Sequence, residues 1–194
     1  MICMRRSGSR SACRNPEEMM MEPRVLVAYA TRGGSTAELA STMAEVLRQH
    51  GARPDVYPAR ELAGLEPYGA VVLVAPLYIG RLHRDARRFL KRHRRQLETV
   101  PVALLVPGPV ENNEKDWAGA RSQLEKRLAR LPWFSPVATH VVGGVFDPNK
   151  LGFPYALIPA LRKMPAKDAR DAEAIRACAE DIAGKLLSAF TVGA

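Results

Sequence analysis

The sequence predicts a single α/β domain, a three-layer sandwich with helices on both faces of a five-stranded parallel sheet of order 2-1-3-4-5. Three observations carry this. Five short apolar runs alternate with amphipathic stretches over residues 24–190, the pattern of parallel strands joined by right-handed helical crossovers. The runs are nearly continuously apolar, as strands buried on both faces are. Finally, 194 residues with 47% hydrophobic and 25% charged content suffice for one well-formed core and are too few for two comfortable domains.

The elements follow in order. Residues 24–30 (RVLVAYA) read as the first strand. Residues 36–50 read as a helix with Leu39, Ala40, Met43, Val46 and Leu47 on one face and Gly51 as its stop. Ser35 and Glu38 fit a capping box at its start. Residues 54–58 (PDVYP) form a second strand, placed near an edge by its prolines, and 61–65 a brief helix. Residues 70–75 (AVVLVA) are a third, deeply buried strand. Residues 82–97 form a helix with Leu82, Ala86, Phe89, Leu90 and Leu97 inward and arginines outward. A fourth strand at 100–106 (VPVALLV) and a helix at 114–131 follow. Residues 137–142 (VATHVV), closed by Gly143-Gly144, are the fifth strand. A last helix, 170–190, turns Ile175, Cys178, Ile182, Leu186 and Leu187 to the core. No internal repeat is visible.

Composition narrows the functional classes. No run of about 18 apolar residues predicts a transmembrane helix. The three cysteines, Cys3, Cys13 and Cys178, are scattered and lack CxxC spacing, which argues against a disulfide framework and against a zinc site, so no metal is expected. A reduced, cytoplasmic protein is the expectation. Residues 1–23 have no apolar periodicity and read as a disordered N-terminal tail; Arg5-Arg6 is followed by no apolar segment, so export is not expected. The Met19-Met20-Met21 cluster makes a later start site the alternative.

Net charge is +9, and the excess is concentrated in Arg81, Arg84, Arg87, Arg88, Lys91, Arg92, Arg94 and Arg95. Such a patch attracts an anion of some kind. Nucleic acid is disfavoured because no aromatic side chains interleave the arginines.

In the order 2-1-3-4-5, strands 1 and 3 flank the topological switch point, where ligands bind outside the carboxyl ends of strands. The loop after strand 1 reads Thr31-Arg32-Gly33-Gly34-Ser35-Thr36. Its glycines permit a tight turn and close approach, the helix start presents unpaired N–H groups, and hydroxyls add donors. Together these suit a phosphate; a capped turn with no ligand is the plain alternative. GxxxxGK[ST] is absent, and no GxGxxG follows strand 1. Thr31 and Ala75-Pro76 stand where a response regulator needs acidic residues. After strand 3, Pro76-Leu77-Tyr78-Ile79-Gly80 suits a flat ring wedged against backbone, although Tyr78 and Ile79 could equally cap the core. After strand 4 comes Pro107-Gly108-Pro109-Val110-Glu111-Asn112-Asn113, another glycine-bearing loop. Three such loops at one sheet edge point to a flat aromatic ligand with a phosphate tail.

At these loops the sequence resembles the flavodoxins, with Thr31, Gly34, Ser35 and Thr36 matching that family's phosphate signature and Gly33 standing where a further threonine is common. It is most similar to the branch of menaquinone-dependent protoporphyrinogen oxidases. TRGGST, APLYIGRLHRDARRFLKRHRRQL and KDARDAEAIRACAEDIA carry the likeness, which spans about residues 24–190. It departs at Tyr78-Ile79 and at GFPYALIPAL. The resemblance implies FMN as cofactor, its phosphate on Thr31–Thr36 and its ring between Pro76–Gly80 and the loop at 107–112. It implies electrons passing from a reduced, carboxylated tetrapyrrole through flavin N5 to a quinone, in haem biosynthesis. His83 falls where it could move a proton at the flavin edge, with a histidine serving only as the start of a helix as the other reading. His93 and His140 read as packing. Electron-carrier flavodoxins are typically acidic, so a basic chain suits a carboxylated substrate, held by Arg81, Arg84 and Arg88, or an anionic membrane surface. An electron-transfer protein serving a protein partner and a flavin-free binding module are the competing classes.

Relative to a flavodoxin, residues 145–169 are an insertion. Leu151, Phe153, Tyr155, Leu157, Ile158 and Leu161 are too apolar for a free loop, and Arg162, Lys163 and Lys167 follow. The segment is expected to lie on the inner membrane surface or cover the flavin, or else to pack as an extra helix on the core.

Overall fold

A computed structural model describes residues 22–31, 34–78, 80–111, 113–150, 157, 159–162 and 165–192. The tail at 1–21 and most of the apolar insertion residues, Leu151, Phe153, Tyr155 and Ile158 among them, lie outside the described residues.

The elements in chain order are β1 (Arg24–Tyr29), α1 (Ser35–Gln49), β2 (Arg53–Pro58), β3 (Ala70–Val74), the short strands β4 (Leu77–Tyr78) and β5 (Arg81–Leu82), α2 (Arg84–Arg92), α3 (Arg94–Leu97), β6 (Val102–Pro107), α4 (Glu114–Leu128), β7 (Ala138–Val142), β8 (Val145–Phe146), α5 (Pro159–Arg162), β9 (Lys167–Asp168) and α6 (Ala172–Val192). The five long strands pair in parallel in the order β2-β1-β3-β6-β7, so the expected 2-1-3-4-5 sheet is present. Val27 lies between Val56 of β2 and Val72 of β3, which fixes the central register.

Strand side chains alternate between two apolar layers. Val25, Val27, Val72, Val74 and Leu105 pack with Leu39, Met43 and Leu47 of α1 and Ile175, Ile182 and Leu186 of α6. Leu26, Leu73, Leu104 and Val106 face the other way, onto Leu82, Phe89, Leu90, Leu97 and Leu124. All five residues of β3 are buried, which is why its run is apolar without alternation. Each fully buried Leu or Phe contributes roughly 1.5–3 kcal/mol, so these two layers dominate the stability of the fold.

Local differences from expectation have physical causes. Residues 61–65 are not helical; Leu62 and Leu65 are buried individually, and a segment this short cannot offset the cost of helix nucleation. The expected helix at 82–97 is divided. Leu82 pairs with Leu77 in a two-stranded hairpin, α2 starts at Arg84, and α2 and α3 meet at His93. His93 is buried, its ring 5.0 Å from that of Phe89 and its Nδ1 3.2 Å from Gln96 Oε1. His140 is not simply packed in the sheet but pairs with Asp181 Oδ2 at 2.7 Å. Ser35 does not cap α1: Gly34 holds the cap position at φ 92°, in the left-handed region that glycine tolerates, and Ser35 is the first helical residue. Among the described residues no helix is long and apolar enough to cross a membrane.

Candidate functional site

The ladder of the sheet continues past the strand ends and lines up four loops. Ala30 N–H donates to Val74 O at 2.9 Å, Ala75 N–H to Leu105 O at 3.0 Å and Gly108 N–H to Val142 O at 2.8 Å. The loops after β1, β3, β6 and β7 therefore leave the sheet from one row, at its carboxyl edge.

The first of them is the start of α1. Gly34 N–H donates to Thr31 Oγ1 at 2.9 Å, which closes the turn and leaves the Thr31 hydroxyl hydrogen to donate elsewhere. No side chain among the described residues caps α1. Ala37 N–H already donates to Gly34 O at 2.9 Å, so the N–H groups of Ser35 and Thr36, at the positive end of the helix dipole, are the ones placed for an outside acceptor. A Cβ placed on Gly34 would meet nothing within 4 Å, so the space beside the turn is open. Thr36 is buried and Ser35 half-buried at the same turn. This arrangement fits a dianionic phosphate. Arg32 and Gly33 lie outside the described residues.

The second loop is held close to the core. Pro76 is buried, its carbonyl accepts from His83 N–H at 2.9 Å, and β4 and β5 fold back on each other through Gly80, whose φ is 67°. Leu77 is half-buried, whereas Tyr78 is 43% exposed, a large aromatic face presented to solvent beside the sheet edge. Ile79 lies outside the described residues. His83 is buried at 8% exposure and caps α2, its Nδ1 accepting from Asp85 N–H at 3.2 Å. In the neutral ring that bond places the proton on Nε2. Its ring meets that of Tyr78 edge-on with centroids 6.2 Å apart.

The third loop, Pro107, Gly108 and Pro109, packs against the end of β7 with no room for a side chain: a Cβ on Gly108 would lie 2.8 Å from Val141 Cγ1. The fourth loop interlocks with it. Gly144 N–H donates to Pro109 O at 2.8 Å, and a Cβ on Gly144 would lie 2.4 Å from Gly108 O. Gly143 is as tight, its Cβ position 1.8 Å from Ala169 O. These contacts lock the loops after β6 and β7 together at the carboxyl edge of the sheet.

Sequence reasoning missed the clamp that closes this edge. Ala169 N–H donates to Gly144 O at 3.0 Å, Lys167 pairs with Glu111, and Arg170 pairs with both Glu38 and Asp168. The carboxylates around Arg170, Asp168 first and Glu38 second, hold its guanidinium more firmly protonated than usual. Arg170 in turn keeps the Asp168 carboxyl below the ordinary carboxylate range. The Gly143-Gly144 pair is the one local signal that could have pointed here.

The basic residues are divided between two hollows. Arg81 lines a cleft beside Gly80, while Arg84 and Arg88 line a separate hollow of about 350 Å³ with Arg87 and Lys91. Among the described residues no three His, Cys, Asp or Glu side chains cluster to hold a metal.

Comparison with known proteins matches residues 26–171 to the flavodoxin domain. The chain is 26% identical over 144 residues to the protoporphyrinogen IX dehydrogenase [quinone] of Escherichia coli K12, covering 73% of this chain and 80% of that protein. Its fold is similar to that of a flavodoxin of Streptococcus pneumonia TIGR4, with a TM-score of 0.53, 14% identity and coverage of 85% of this chain and 98% of that one. Flavodoxin 1 of Bacillus cereus aligns with a TM-score of 0.50 and 15% identity over 85% of this chain and 97% of its own. FMN is the cofactor of this domain, and the open, uncapped turn at Gly34 fits its phosphate.

Proposed function

The chain belongs to the flavodoxin-domain family of FMN-binding oxidoreductases, and from that premise we propose that it is a dehydrogenase carrying electrons from a reduced, carboxylated tetrapyrrole of the protoporphyrinogen class to a quinone. The observation that carries the reading is the exposed cationic face of α2 directly after the ring loop. Arg84, Arg87, Arg88 and Lys91 bound one hollow there, with no carboxylate in its lining. A basic docking face repels the basic partners that suit an acidic electron carrier and attracts a substrate bearing carboxylates. The similarity to the Escherichia coli dehydrogenase supports the same substrate class.

Bound FMN supplies the redox chemistry, and the protein supplies position and electrostatics. Thr31, Gly34, Ser35 and Thr36, with Arg32 and Gly33, hold the phosphate through hydroxyls and backbone N–H groups. Pro76, Leu77, Tyr78, Ile79 and Gly80 on one side and Pro107, Gly108 and Pro109 on the other orient the ring. Tyr78, 43% exposed beside the sheet edge, would offer the ring an aromatic side chain and help exclude water. Arg81, Arg84 and Arg88 bind the substrate carboxylates, at a cost in desolvation lowered by their exposure. His83, with Nδ1 committed to the Asp85 amide, holds a proton on Nε2 for delivery at the substrate edge.

The test is anaerobic turnover by the FMN-loaded protein of protoporphyrinogen with a menaquinone analogue. Oxidation that needs the quinone and does not proceed with oxygen alone supports the reading. Reduction by a protein reductase with no tetrapyrrole turnover would make the chain an electron carrier instead.

A further inference from the structure

One stripe of α4 carries charge where a packed helix carries apolar residues. Gln123, Lys126, Arg127 and Arg130 stand at i, i+3, i+4 and i+7, on one face of the helix, and Leu124 alone among its described residues is buried. With Arg81 and Arg87 this stripe walls a cleft of about 480 Å³ that opens at Gly80 and has no carboxylate in its lining. Gln123 Oε1 lies 3.7 Å from where a Cβ on Gly80 would stand, so α4 directly borders the loop after β3.

The five cations of the cleft have no ion-pair partner among the described residues. Arg127 is half-buried, and its Nε, shielded from solvent, has no hydrogen-bond acceptor among them. Such a donor carries an uncompensated desolvation cost, which an anion entering the cleft removes. Arg87 also lines the hollow formed with Arg84, Arg88 and Lys91, so two cationic compartments meet at one arginine. A single carboxylate fills one of them and leaves the other without a counter-charge.

We propose, resting on the tetrapyrrole reading above, that α4 supplies a second carboxylate subsite for the same substrate. One carboxylate lies among Arg84, Arg88 and Lys91 of α2. The other lies among Arg81, Lys126, Arg127 and Arg130, with Arg87 between the two. Lys126, Arg127 and Arg130 thereby determine specificity: they select a tetrapyrrole with two acidic arms over one with a single arm.

The test titrates the FMN-loaded protein with mesoporphyrin, a stable porphyrin bearing two propionates, and with its monoamide, in which one propionate is capped as a neutral amide. Binding is read by porphyrin fluorescence. The parent is expected to bind mesoporphyrin about tenfold or more tightly than the monoamide. In the double variant Lys126→Gln, Arg130→Gln, mesoporphyrin is expected to weaken to about the affinity of the monoamide, while the monoamide changes by less than about twofold. Both positions are exposed, so this variant reads binding even if Arg127→Gln, expected to act alike, impairs folding. The double variant Arg92→Gln, Arg95→Gln removes the same charge outside both hollows and is expected to leave both affinities unchanged. In turnover, the α4 double variant is expected to raise KM for protoporphyrinogen with kcat little changed. Equal affinity of the parent for mesoporphyrin and its monoamide, a preference that survives in the α4 variant, or an equal loss in the Arg92, Arg95 variant would overturn the second subsite and leave the tetrapyrrole reading in place. No mesoporphyrin binding by the parent would overturn both.

Discussion

Arg170 and Glu38 form an ion pair across 132 residues of sequence, joining the segment before the last helix to the first turn of α1. The pair braces the helix whose N-terminus is proposed to receive the phosphate. Because Arg170 also holds Asp168, the clamp is pH-sensitive in a defined direction. Asp168 has its carboxyl pKa lowered by that hydrogen bond, so its contribution is present above the unfolded value, about 3.9, and is lost as pH falls through the lower folded value. Urea melts of the parent and Asp168→Asn should therefore differ at pH 6 and converge below about pH 4. A gap that widens on acidification would contradict this.

Gly144→Ala should damage the interlocked loops after β6 and β7 rather than the core. The new Cβ would sit 2.4 Å from the Gly108 carbonyl, a backbone atom that no rotamer change can move. Overpacking of this kind costs typically about 1–3 kcal/mol. The expected result is a lower midpoint in thermal melts and weaker FMN binding.

Gly34→Ala should separate strain from space. The site is open, but φ is 92°, where an L residue is strained by roughly 1–2 kcal/mol. The variant should fold with a small loss of stability and bind FMN more weakly, because relief of strain rotates the turn that aims the first N–H groups. Unchanged FMN affinity would place the phosphate elsewhere.

Cys178 should be a sluggish thiol. Partial burial raises its pKa, and the neighbouring Asp181 adds to the effect. Labelling of Cys178 by iodoacetamide at pH 8, followed by peptide mass, should proceed more slowly than for an unstructured cysteine peptide. Faster labelling would contradict its placement on the core side of α6.

The sheet was legible because Val71, Val72 and Leu73 are buried whichever way they point, so the run carries no polar break. The tight turn after β1 was legible because a strand ending at Tyr29 and a helix beginning at Ser35 leave Gly34 in a conformation that favours glycine. The break at His93 was hidden, since Phe89, Leu90 and Leu97 keep an apolar face across it. Leu82 likewise keeps its core position although it sits in a hairpin. The Arg170 clamp was illegible for a different reason: its partners are set by tertiary folding, and surface arginines look alike in sequence.

The most direct test of the central claim is fluorescence titration of the apoprotein with FMN and, separately, with riboflavin. The phosphate-binding turn predicts quenching of FMN emission at about micromolar concentrations and binding of riboflavin weaker by about tenfold or more. Absence of FMN quenching, or equal affinity for the two flavins, would contradict it.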